Sequence, residues 1–321
     1  MINANALRAS TLVLAVVSAG LAHADGESIA VFTKNQTNPY FQAVRLGADS
    51  AAQAMGAKVT HVVPSKPDSI PEQISQVEDI IVKKPAAVVF TPVDYKAMAP
   101  AAQKMSAAGI PVVNITDRLD PSSAVSFVGA GDHALALATG RYLLKTIGGK
   151  GSVVILEGVK GSLVNADRVR GFRDALKEFP EVKVLASQPA NFQRLQAVQV
   201  VENLMQTYPS FDGVMSANDS MAAGAIEAME GAGRKALVIG INGTKEGVDA
   251  VKAGKLLATG DHNPFLQGCL GTMVAIRYLR KQPVPKEFIF PPVVIDKSNY
   301  QTADVPLTAR QCPKWDDMVR S

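Results

Sequence analysis

The sequence predicts an α/β protein of two doubly wound lobes, and three observations carry that prediction. Short apolar, β-branched runs alternate with longer stretches whose apolar residues recur at helical spacing. Such alternation means parallel strands crossed by helices on both faces of a sheet. The pattern runs once and restarts near Asp132, so two similar lobes are expected. A helix-like stretch (264–279) and a strand-like stretch (288–295) then follow the second run of the pattern. Leftovers of this kind cross back to finish the first lobe, and several crossings make a hinge. The expected organisation is a targeting segment at 1–24, a first lobe of 25–129 plus 263–291, and a second lobe of 130–262 plus 292–321 with the tail.

The first residues read as an export signal. Arg8 supplies a thin positive region, Thr11 to Ala22 is apolar but too short to span a bilayer, and Ala22-His23-Ala24 fits the small-x-small cleavage rule. A mature chain beginning at Asp25 in the periplasm is expected. No cysteine stands near that site to carry a lipid anchor. The cysteines are Cys269 and Cys312, and an even count in an oxidising compartment permits one disulfide. Two buried free thiols are the alternative. The bridge is favoured because Cys312 sits in a polar tail with little else to hold it.

The elements come in order. Ser28 to Thr33, Lys58 to Val63, Ala86 to Phe90, Val112 to Ile115 and Val125 to Val128 read as strands of the first lobe. Between them, 39–55, 70–82 and 94–108 read as helices, the last with Asp94 as its N-cap. In the second lobe, strands at 152–156, 182–187, 213–216, 237–241 and 256–260 alternate with helices at 132–147, 163–179, 192–208, 220–229 and 245–253. The formal charge of +4 is small and scattered, with no basic run interleaved with aromatics, so nucleic acid is not an expected partner.

The residues just past each strand are more informative than the strands. The run Val112-Val113-Asn114-Ile115-Thr116-Asp117-Arg118 ends on an acid and a base side by side. That pair is costly to bury and poor at filling a core. It is either a surface ion pair or part of a ligand site, because the carboxyl ends of strands face the crevice in open α/β sheets. Other strands repeat the pattern. After them come Lys34, Gln36, Asn38, Tyr40 and Phe41, then Asp94, Asn165 and Arg168, Phe192, Asn218, Asn242 and His262. Singly, Asp94 or Asp219 is a helix cap and Asn242-Gly243 a turn. Together, amides, carboxylates, arginines and flat aromatics suit a neutral polyhydroxyl ligand: carboxylates and amides accept hydroxyl protons, Arg donates, and aromatic faces cover C–H faces.

These residues resemble a known family. Asn38-Pro39-Tyr40-Phe41, Thr116-Asp117-Arg118, Arg168-x-x-Gly171-Phe172, Ala217-Asn218-Asp219 and Gly240-x-Asn242-Gly243-Thr244 stand in the order seen in periplasmic ribose-type sugar-binding proteins of ABC importers (type I periplasmic binding proteins), from about Ile29 to Val294. The resemblance implies two Rossmann-like lobes with the ligand cleft between them, a three-strand hinge, closure on one sugar, delivery to an inner-membrane permease and, in some members, to a chemoreceptor. A monomer without a cofactor is expected, and no turnover, because the set holds hydrogen-bonding groups but no activated nucleophile or paired acid and base of suitable type. Asn38 matches the first-lobe amide, Tyr40 and Phe41 the aromatic pair, and Asp117 and Arg118 the acid and base on adjacent hydroxyls. Arg168 matches the second-lobe arginine, Phe192 the opposite aromatic, and Asn218 the amide before Asp219. Two positions depart: the family usually has Asp at Asn242 and often Gln at His262. With Tyr40, Lys34 and Gln36 as further polar groups, these departures predict that ribose is not the best ligand. A different pentose, a hexose, a sugar alcohol or a cyclitol fits.

Two rival classes are weaker. Gly129-Ala130-Gly131 with Ala134 matches a dinucleotide glycine motif, but no acid stands about twenty residues on at a strand end. Phosphate-loop, nucleophile-elbow and zinc-protease motifs are missing from the sequence, and the four histidines are scattered, so no metal site is expected. A sugar-responsive repressor would need a helix-turn-helix where this chain has an export signal.

Overall fold

A computed structural model of the chain describes residues 26–319; the expected export signal and its cleavage site lie outside them. The chain forms two six-stranded sheets. The first contains β1 (Ser28–Phe32), β2 (Lys58–Val62), β3 (Ala87–Phe90), β4 (Val112–Ile115), β5 (Ser126–Ala130) and β11 (Glu287–Phe290). Its order is β11-β5-β4-β3-β1-β2, parallel throughout. The second contains β6 (Lys150–Glu157), β7 (Glu181–Pro189), β8 (Gly213–Ser216), β9 (Leu237–Ile241), β10 (Ala258–Gly260) and β12 (Val294–Asp296). Its order is β12-β10-β9-β8-β6-β7, with only β12 antiparallel. Both are doubly wound sheets whose strand order reverses beside their first strand, and ligand crevices in such sheets open at that reversal, off the carboxyl ends of the strands.

The helices are α1 (Pro39–Met55), α2 (Ile70–Lys83) and α3 (Ala99–Ala107) in the first lobe, then α4 (Asp132–Thr146), α5 (Leu163–Lys177), α6 (Arg194–Thr207), α7 (Asp219–Gly231) and α8 (Lys245–Lys252) in the second. After them come α9 (Pro264–Leu279) and the short α10 (Trp315–Val319). Strand interiors such as Ile29, Val31, Val89, Val113, Val154, Met215 and Ile239 are sealed from solvent, as expected when both faces of a parallel sheet are covered. Helix α9 supplies Leu270, Met273 and Val274 to the core of the first sheet, so the chain returns to the first lobe after β10. It packs against α1 at very close range. A Cβ on Gly47 would stand 2.0 Å from the Phe265 carbonyl, and one on Gly268 2.0 Å from the Val44 carbonyl, so only glycine fits at either position.

Two elements differ from expectation. α3 starts at Ala99 rather than Asp94, because Pro100 belongs in a helix's first turn and cannot stand well inside one. Asp94 instead accepts from the amides of Lys96 and Ala97 in a separate turn. The stretch 288–295 is two strands rather than one: β11 closes the first sheet and β12 the second, joined across the hinge at Pro291-Pro292. The three crossings are β5 to α4, β10 to α9, and β11 to β12.

The tail makes a further connection. Asp304 holds the Lys252 ammonium of the second lobe at 2.7 Å. Leu307 then packs beside Ala43 and Phe265 of the first lobe, Cys312 is bonded to Cys269 of α9, and Trp315 lies between Phe288 (5.6 Å) and the Arg277 guanidinium (4.3 Å).

Candidate functional site

Between the lobes, at the carboxyl ends of the strands, lies a cavity with about 390 Å³ of unfilled space. The first lobe lines it with Lys34, Asn35, Asn38, Tyr40, Phe41, Asp68, Thr116 and Asp117, and the second with Val164, Arg168, Phe192, Asn218 and Asn242.

The loop after β1 leads into α1 through an Asn-Pro cap. Asn38 Oδ1 accepts from the Tyr40 amide and Pro39 sits where a missing N–H costs nothing. The cap consumes the Asn38 oxygen and leaves its N–H₂ group at the cavity wall. It also sets Tyr40 and Phe41 edge to face, with centroids 5.0 Å apart. Lys34 is buried and its ammonium donates to Asp117 at 2.8 Å. Burial works against that ammonium, but Asp117 and Asp68 outweigh it and hold the lysine pKa above its ordinary value. Burial raises the Asp68 carboxyl, with Lys34 pulling the other way. Asp117 also reaches across the cleft, accepting from Ser162 Oγ of the second lobe at 3.4 Å.

Arg168 dominates the opposite wall. Its Nε donates to Asp132 at 2.8 Å, and its Nη1 donates to the Ala217 carbonyl at 2.7 Å and to Asn242 Oδ1 at 3.0 Å. Asn242 has φ 143°, a conformation that L residues rarely adopt, so the Asn-Gly turn and the Arg168 contact are one arrangement. Asp219 anchors this turn: it accepts from the Thr244 amide and hydroxyl and from Thr259 Oγ1. Burial raises its carboxyl to about 6 against those hydrogen bonds. Phe192 comes after Asn191 in the left-handed region, at φ 60°. Its carbonyl accepts from Asn218 Nδ2, and its ring lies where a Cβ on Gly158 would be, 2.0 Å from Cζ. Asn218 therefore serves chiefly to place Phe192, because its oxygen is spent on the cap of α7.

Of the residues singled out from sequence, Lys34, Asn38, Tyr40, Phe41, Asp117, Arg168, Phe192, Asn218 and Asn242 meet at this cavity. Arg118 does not. Thr116, at φ 65°, turns the chain so that Asp117 enters the cleft while Arg118 faces the other way, pairing with Glu287 at 3.0 Å and stacking 4.1 Å over the Phe127 ring. His262 lies behind Tyr40, with no exposed surface and no place in the cavity wall. Gln36 is exposed, Asp94 caps its turn, and Asn165 is occupied by the Gly158 amide at 2.6 Å. Sequence reasoning does not single out Asp68 or Thr116. Asp68 comes after β2, so extending the post-strand comparison to that strand finds it. No group of three His, Cys, Asp and Glu side chains among the described residues is placed to hold a metal.

Residues 29–283 match the family model of the periplasmic binding protein domain. This chain belongs to that family. It is 31% identical over 279 residues to the ribose import binding protein RbsB of Haemophilus influenzae, covering 87% of this chain and 94% of the relative. It superposes with a TM-score of 0.82 on an ABC transporter periplasmic solute binding protein of Actinobacillus succinogenes with bound D-allose, at 34% identity over 86% of this chain and all of that one. A Caulobacter myo-inositol binding protein bound to myo-inositol gives 0.81 at 29% identity, over 86% and 95%. The two-lobe α/β architecture and the sugar-binding family resemblance read from the sequence are thus those of this binding protein.

Proposed function

We propose that this binding protein captures one monosaccharide or related polyol in the interlobe cavity and delivers it to an ABC importer in the inner membrane. The carrying observation is the cavity wall: aromatic rings from both lobes face a space edged by Asn, Asp, Lys and Arg side chains. Rings cover the C–H faces of a sugar while the rim groups take its hydroxyls. Charge favours a neutral ligand, since Lys34 is paired with Asp117 and Arg168 with Asp132. The lining, thirteen residues drawn from both lobes, suits one ring rather than an oligosaccharide. D-allose in one structural neighbour and myo-inositol in another define the ligand range to test.

The stretch 1–24, read as an export signal, supports a periplasmic location with cleavage after Ala24. Binding without turnover is supported by the described cavity lining, which holds hydrogen-bonding groups but no nucleophile set against a general base. A cyclitol or other polyhydroxyl signal, presented to the transporter or a chemoreceptor, is the second reading; the loss of a carboxylate at Asn242 favours a ligand with an acceptor oxygen there. A thermal-shift screen of residues 25–321 against D-ribose, D-allose, other pentoses and hexoses, xylitol and myo-inositol tests this. A ligand raises the melting temperature by mass action. A flat response across the panel would overturn the proposal.

A further inference from the structure

Two of the three hinge crossings carry a buried polar side chain just past their strands: Asp132 after β5 and His262 after β10. Neither lines the cavity, yet both connect to residues that do. Asp132 Oδ1 accepts from Arg168 Nε at 2.8 Å and lies 3.1 Å from His262 Nε2, without forming a well-directed hydrogen bond to it. On the other side of the imidazole, Nδ1 is 2.8 Å from Tyr40 Oη and 2.8 Å from Gln267 Nε2.

The proton positions in this cluster can be deduced. The Gln267 nitrogen also faces the His262 carbonyl at 2.6 Å, and a carbonyl only accepts, so the amide orientation is fixed. An amide N–H therefore points at Nδ1, which makes Nδ1 the acceptor and puts the ring proton on Nε2, towards Asp132. Thr116 gives its hydroxyl proton to Gln267 Oε1 at 2.9 Å, so Tyr40 is a donor shared between Nδ1 and Thr116 Oγ1. The contacts run from the first lobe (Gln267, Tyr40) through both crossings (His262, Asp132) to Arg168 in the second lobe's cavity wall, with the Asp132 carboxylate faced by His262 Nε2 on one side and accepting from Arg168 Nε on the other.

We propose that Asp132 and His262 are positioning residues for ligand capture, which set the orientation of the Arg168 guanidinium from the hinge without touching the ligand. The guanidinium is planar, so fixing its Nε edge on Asp132 also decides where Nη1 and the open edge point. Because the Asp132–His262 contact joins two crossings, Arg168 is set only when those crossings are in register, which ties its readiness to the hinge. This inference rests on the sugar-binding reading of the cavity for its consequence, but its geometry does not.

The test separates the two. The Arg168 Nε–H resonance of ¹⁵N-labelled protein (residues 25–321) is assigned by its loss in Arg168→Lys. In His262→Gln it is expected to shift and to exchange with solvent several-fold faster, and in Asp132→Asn to do so more strongly, both variants keeping native circular dichroism. An Arg168 signal unmoved in folded His262→Gln overturns the proposal. Calorimetry with D-ribose, D-allose, xylitol and myo-inositol then reads the consequence. For the best binder, His262→Gln is expected to weaken binding about 5-fold, the scale of one net hydrogen bond, with the effect lost in an Asp132→Asn background. An equal effect in that background shows that His262 does not act through Asp132, which overturns the proposal. If none of the four binds, the sugar reading fails for them and the resonance alone decides the positioning role.

Discussion

Breaking the Cys269–Cys312 bond should lower thermal stability by an amount set by where it sits. The two cysteines are 43 residues apart, and the closed segment runs from α9 through β11, β12 and the tail. By the chain-entropy relation, closing a loop of that size disfavours the unfolded ensemble by about 4 kcal/mol. Unfolding entropy of about 2.1 cal/mol/K per residue gives about 0.6 kcal/mol/K for a chain of this length, so the expected fall in melting temperature is about 6 °C. Cys312→Ser is the suitable substitution, because Cys269 has no exposed surface and a hydroxyl there would add a desolvation cost of its own. Scanning calorimetry of the oxidised protein, the reduced protein and Cys312→Ser should give two matching low values and one high one. If all three melt within about 1 °C, the reasoning is refuted, and Leu307 and Trp315 hold the tail by packing alone.

Four further outcomes are expected. Arg168→Met should cost at least roughly 1.5–3 kcal/mol of ligand affinity, whereas Arg118→Ala, which removes a half-exposed pair with Glu287, should leave affinity within about twofold; calorimetry showing equal losses would contradict the placement of Arg118 outside the cavity. Gly158→Ala should weaken binding by displacing the Phe192 ring, and unaltered affinity would show that the ring does not cover the ligand. Asn242→Asp places a carboxylate on Arg168 Nη1 and should reorder preference among the sugars without abolishing binding; a ranking headed by ribose both before and after contradicts this. Asp219 has a folded pKa of about 6 against an ordinary 3.8, so between those values the folded state binds more protons than the unfolded. The stability of wild type relative to Asp219→Asn should therefore fall as pH rises from about 4 to about 6, by on the order of 2–3 kcal/mol, in urea titrations; a difference that stays level with pH would exclude it.

Local sequence is enough to specify the elements and one side of the site. Apolar runs bounded by Gly, Pro and Asn mark the strands, and Asn38-Pro39 marks the start of α1, because capping and proline geometry are local physics. Asp117 is legible because a carboxylate that ends an apolar strand has few other uses. The remainder depends on groups far apart in the chain, which only folding brings together. Asp117 and Arg118 are neighbours in sequence, but the left-handed turn at Thr116 sends one into the cleft and the other to Glu287, 169 residues away. His262 matches a family ligand position in its place along the chain, yet the fold puts Tyr40 in front of it and Asp132 beside it, so its side chain never reaches the cavity. Asn218 lies at the cavity, but hydrogen bonds to Phe192 and Met221 decide that it positions a ring. Residue type shows what a side chain is able to donate or accept, but which of those capacities remain for a ligand depends on the partners that folding brings to it.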